Sequence, residues 1–208
     1  MHIAEGVLAA PVLAAGAVAA AAGIAVGLRR LPSERLMTAS LAGAAFFVAS
    51  LIHVPVGFSS AHLILNGLVG ILAGWAAFPV IFAALLLQSL LFGFGGLTVL
   101  GVNTFTMATG ALAALLVFRT CTPASGSGLA AAAAAFAAGA VAVLVAALLT
   151  ALALGFSEEG FRAAAAALLI AHIPVMLAEG VITAIVVRML RKRNPALIGN
   201  AFGEKQNA

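Results

Sequence analysis

The sequence predicts an all-α fold, a polytopic membrane bundle of seven transmembrane helices with its amino terminus outside and its carboxyl terminus in the cytoplasm. Three observations carry this. Of the 208 residues, 64% are hydrophobic and 8% charged, with a mean hydropathy of +1.23, against roughly 25% charged residues in an ordinary soluble domain. The apolar stretches approach or exceed the roughly 20 residues that cross a hydrocarbon core as helix, and they lack the short alternating segments of a β-barrel. The few basic residues stand at the ends of those stretches, where topology signals belong.

The elements follow in order. Helix one spans 7–28 and ends at LRR, and helix two spans 36–54. The run HLILNGLVGILAGWAAFPVIFAALLLQSLLF is read as two helices, 62–77 and 79–93, divided at Pro79, because proline interrupts a helix. Charge supports the division. With seven crossings Arg29, Arg30, Arg35, Arg119, Arg188, Arg191, Lys192, Arg193 and Lys205 all fall inside, and Arg162 alone falls outside. Six crossings would strand either Arg119 or the RKR cluster on the wrong side.

Helix five spans 98–118, and the flexible loop CTPASGSG leads to helix six at 128–154. Helix seven spans 163–190. The alanine runs at 130–135 and 163–167 favour helix and let backbones approach closely in lipid. Residues 1–208 read as a single integral membrane domain with a short cytoplasmic tail, 191–208, that carries no lipidation box.

Several functions are excluded by composition. The pI near 10.7 comes from a few topology-placed cations, so nucleic-acid binding is not expected. A single cysteine, Cys121, permits no intrachain disulfide. GFGGLTVLG follows a membrane helix and no GxxxxGK[ST] occurs, so energy from ATP must come through another chain. HExxH, a nucleophile elbow and paired intramembrane carboxylates are missing, so the chain does not read as an enzyme.

Polar residues in an apolar chain are costly and are functional candidates by default. The opening MHIAEG lacks the basic start of a cleaved signal, which predicts a retained amino terminus. A histidine in second position offers three nitrogens to one ion: the Met1 amine, the deprotonated His2 amide and His2 Nδ1, closing five- and six-membered rings. Planar nitrogen coordination favours Ni(II) or Cu(II), with Co(II) under stronger constraint, and it wants a fourth donor. His62, at the outer start of helix three, is the candidate, with Asn66 four residues on along the same helical face to orient the ligand. The alternatives are that His2 is a surface polar residue and His62 an interfacial one reaching headgroup water.

His53 lies where snorkelling to water is easy. Glu5, with Glu158 and Glu159, faces outside and either concentrates cations or is simply solvated. Asn103 is expected to satisfy backbone or interhelical hydrogen bonds, with an orienting role beside the ligands as the further option. His172 and Glu179 lie on one face around Pro174, as a deeper polar cluster or, for Glu179, a structural clamp.

MHIAEG, HVPVG, AHLILNGLVGILAGW, FGFGGLTVLGVNTFTMA and HIPVMLAEGVIT, in this order along nearly the whole chain, resemble the CbiM/NikM family. These are substrate-specific components of energy-coupling factor importers for cobalt and nickel. The resemblance implies a seven-helix bundle with an extra first helix that inserts the amino terminus from outside. It implies metal ligation by the Met1 amine, the His2 amide and imidazole, and His62. It also implies partners: a transmembrane coupling protein, cytoplasmic ATPase subunits and, in many systems, a small accessory membrane protein. Around the second histidine this chain reads SSAHLILNG where many cobalt-assigned members carry a cysteine and a CSHPTGTG-like stretch, which leaves Ni2+ and Co2+ both open with a lean to Ni2+. A seven-helix receptor or sensor for an organic ligand is the alternative function, and a metalloenzyme built on His172 and Glu179 a third.

Overall fold

The computed structural model describes residues 3–56, 59–122, 128–157 and 161–199. Its elements are α1 (Ala10–Arg29), α2 (Leu36–Leu51), β1 (His53–Val56), β2 (Ser59–His62), α3 (Asn66–Ala73), α4 (Ala77–Phe92), α5 (Leu100–Cys121), α6 (Gly128–Gly155), α7 (Phe161–Ala171), α8 (Ile173–Arg193) and α9 (Ala196–Gly199). Among the described residues, five stretches are long and apolar enough by length and composition to cross a membrane: Ala10–Arg29, Asn66–Phe92, which takes in both α3 and α4, Leu100–Cys121, Gly128–Gly155 and Ala166–Arg193. α2, with 16 residues, is shorter.

The core is built on small residues. Along α6, Ala131, Ala135, Ala138, Ala142 and Ala146 are buried, and their short side chains let α5 and α8 approach closely, which replaces the missing hydrophobic drive between helices in lipid. α1 buries only Gly16, Ala20, Gly23 and Gly27, one narrow stripe at helical spacing. Into it fit Val102 of α5 and Phe78 and Pro79 of α4.

The run expected to divide at Pro79 divides earlier. A 3-10 turn at Gly74–Ala76 separates α3 from α4, and Gly74 there has φ +59, open to glycine but strained for other residues. Pro79 instead lies in the first turn of α4, where its missing N–H would have no helical partner. The chain reverses at this turn. Asn66, Gly70 and Gly74 meet Met107, Ala111 and Leu115 in ascending order, so α3 runs alongside α5. α4 starts beside Gly23 and Gly27 of α1 and leads back to Gly96, which lies against Glu5, so it runs the opposite way. At the turn, the Arg30 guanidinium sits 4.9 Å from the centre of the Trp75 ring, a cation–π contact between the end of α1 and the start of the reversal.

Two further boundaries differ from expectation. Helix two ends at Leu51 rather than 54, and helix three begins at Asn66 rather than 62. Between them β1 and β2 pair antiparallel, with His53 opposite His62 and Val54 opposite Ala61. Residues such as Val54 and Val56 suit a strand, and Pro55 is tolerated in a hairpin with free outer edges. Helix seven, expected over 163–190, is jointed at His172 into α7 and α8, with Pro174 in the first turn of α8. Proline at that position starts a helix readily but cannot donate to the preceding turn.

Candidate metal site

The segment leading from the amino terminus is fastened between α5 and the end of α6. Ile3 is buried, packed with Leu8, Val99, Val102, Ala153 and Leu154. Its N–H donates to Asn103 Oδ1 at 3.1 Å, and Asn103 Nδ2 donates to its carbonyl at 3.2 Å. One amide side chain thus satisfies both backbone groups of one residue, as a neighbouring strand would. Two more bonds extend the attachment. Glu5 Oε1 accepts the Thr98 N–H at 3.1 Å, and the Ala9 N–H donates to Ser157 Oγ at 3.1 Å. Met1 and His2 lie outside the described residues.

Asn66, fully buried, is taken up by the bundle: its Nδ2 approaches the carbonyls of Met107 at 3.4 Å and Ala142 at 3.3 Å. Because His62 closes β2 and Asn66 opens α3, the helical face expected to carry both is not formed. The backbone of His62 stands at the end of the hairpin, opposite His53. The side chains of both histidines lie outside the described residues.

Glu179 lies on the buried face of α8 with no exposed surface. Its Oε1 accepts the N–H of Leu65 at 2.7 Å and also that of Ile64. His172 Nδ1 lies 2.7 Å from the carbonyl of Leu168, one turn back in α7. The two side chains expected as a deeper cluster therefore serve different partners. Among the described residues, no three His, Cys, Asp or Glu side chains come together as a metal-holding group.

The grip of Asn103 on Ile3 and of Glu179 on Ile64 and Leu65 involve backbone groups that no sequence motif marks. The signal that could have found the second is the lone carboxylate itself. A carboxyl buried far from any cation in sequence calls for hydrogen-bond donors, and backbone N–H groups are the ones every segment offers.

These features define an integral membrane bundle that holds Ile3 against α5 in its interior. Residues 2–197 match the CbiM family, described as the cobalt uptake substrate-specific transmembrane region, and the chain belongs to that family. A "Putative metal transport protein" of Haemophilus influenzae is 62% identical over 120 residues, 58% of each chain. The fused nickel transport protein NikMN of Rhodobacter capsulatus is 32% identical over 95% of this chain and 64% of its own length. The match thus spans about three-fifths of the length of these two curated relatives. The cobalt transport protein CbiM of Sorangium cellulosum is 34% identical over 95% of this chain and 94% of its own. A crystal structure of a transition metal transporter superposes with a TM-score of 0.81 at 27% identity, covering 98% of this chain and 99% of that one.

Proposed function

We propose that the chain is the substrate-binding membrane component of an importer that captures Ni2+ or Co2+ as transported cargo, with a lean to Ni2+. The ion is held by the Met1 amine, the His2 amide and imidazole, and His62. The observation that carries this reading is the clamp on Ile3. Asn103 fixes both backbone groups of the residue that follows His2, so a chelate on the first two residues would be held at a defined place in the bundle. Family membership supplies the substrate class, and relatives named for metal transport weigh against the receptor and metalloenzyme alternatives.

The reading includes seven passes in one membrane unit, with the amino terminus outside and residues 191–208 forming the cytoplasmic tail. The reversal at Gly74–Ala76 and the placement of the basic residues support it. A transmembrane coupling protein and cytoplasmic ATPases supply the work of transport, with or without a small accessory subunit. This sequence holds no nucleotide-binding motif of its own.

The test is a metal measurement on purified chain. One residue added before Met1 displaces the amine, and His62→Ala removes the fourth donor. Each should abolish tight binding in elemental analysis and erase the yellow, diamagnetic signature expected of planar Ni(II). Retention of tight binding in both variants would overturn the proposal. Loading should also fall as pH drops from about 8 to 5, because the amine and imidazoles must shed protons to ligate.

A further inference from the structure

Leu65 has φ +54, a left-handed backbone that is strained for a branched aliphatic residue and persists only where its surroundings impose it. It sits at the N-cap of α3, with no side-chain cap of the usual kind. What imposes the conformation comes from α8. Two successive N–H groups, of Ile64 and Leu65, converge on Glu179 Oε1, so a backbone nest of the kind that holds anions here holds a carboxylate of the same chain. Ile64 and Glu179 show no exposed surface and Leu65 is 9% exposed, so water does not compete for these groups.

Both sides of the nest are anchored. Downstream, Asn66 holds the carbonyls of Met107 and Ala142. α8 itself is registered against α6 by Gly139, where an added Cβ would come within 2.8 Å of the Glu179 carbonyl. Upstream, a single residue, Leu63, separates the nest from His62. Two residues of extended chain reach at most about 7 Å. The position of the His62 backbone is therefore tied to one carboxylate oxygen on a helix more than a hundred residues away.

We propose that Glu179 is a positioning residue that sets His62 as the fourth donor to the amino-terminal chelate, an inference that rests on the metal-capture reading above. Its role is to hold the nest so that the imidazole backbone is presented at one place. α8 and the metal site are coupled through this contact.

The test is a double-mutant cycle on the purified full chain, titrated with Ni2+ and with Co2+ and followed by visible absorption. His62→Ala in the native background reports on the ligand reading alone. Glu179→Ala should weaken binding by about tenfold or more, the usual cost of removing a group that orients a ligand. It should also diminish the yellow band that His62→Ala erases, because the same donor leaves the ion. In the Glu179→Ala background, His62→Ala should then cost little more, since the two losses are one loss. Glu179→Gln keeps an oxygen acceptor for the nest and should restore most of the affinity and the native band. Should Glu179→Ala not fold, Glu179→Asp, which withdraws the oxygen by one methylene, carries the same cycle. A His62→Ala penalty of equal size in both backgrounds overturns the positioning role while leaving His62 a ligand. A His62→Ala variant that binds natively removes the ligand reading and this proposal with it.

Discussion

Asn103 and Ile3 show how one side chain can hold both backbone groups of a distant residue. Asn103→Ala would leave a buried N–H and a buried carbonyl unpaired, at about 1–3 kcal/mol each. The variant is predicted to unfold at lower temperature in detergent and to lose metal affinity together. Asn103→Asp keeps the acceptor for the Ile3 N–H but turns an oxygen toward the Ile3 carbonyl, and should fall nearly as far in the same two measurements. At this scale the sequence exposed half of each contact. Asn103 and Glu179 stood out because polar groups are expensive in an apolar chain. Their partners did not, because Ile3, Ile64 and Leu65 take part through N–H and carbonyl groups that every residue possesses. The shared face expected for His62 and Asn66 assumed a helix where the chain makes a strand.

α3 is eight residues long, too short to be stable or to cross a membrane alone, and it persists because it lies tight against its neighbours. A Cβ on Gly70 would meet the Ala111 backbone, with its carbonyl carbon 2.6 Å away, and one on Gly67 would lie 2.8 Å from Gly139 Cα. Gly70→Ala is therefore predicted to destabilise the chain by about 1–3 kcal/mol through overpacking. Gly128→Ala, with nothing within 4 Å, should leave stability intact in the same thermal assay. The long helices were legible because their apolar runs have no competing reading. The hairpin was not, since its pairing is set residue by residue between two short strands, 53–56 and 59–62, with no alternating pattern to announce it. The break in the third run was misplaced because proline is the louder signal, yet Pro79 fits the start of a helix and Gly74 supplies the left-handed φ.

For the molecule as a whole, the proposed seven-pass topology predicts that the end of α5 lies in the cytoplasm. The chain's one cysteine tests this: Cys121 is the last residue of α5 and is exposed. A membrane-impermeant maleimide is predicted to leave intact cells unlabelled at Cys121 and to label it after permeabilisation. Labelling from outside would invert the proposed orientation. The overall class was readable from composition alone, because a chain with 8% charged residues has no soluble surface to present. How the passes are ordered around α5 and α6 was not, since nearly uniform apolar helices such as α4 and α6 have no polar stripe to say which side faces a neighbour.

The stacking of Arg30 on Trp75 has a practical consequence. The sequence contains one tryptophan and no tyrosine, so the near-ultraviolet emission of the chain originates from a single indole. That fluorophore is 38% exposed and sits where α1 meets the α3–α4 reversal. Parting α1 from that turn would remove a cationic neighbour from the ring and change its brightness and colour, giving a built-in optical gauge of that end of the bundle that needs no dye.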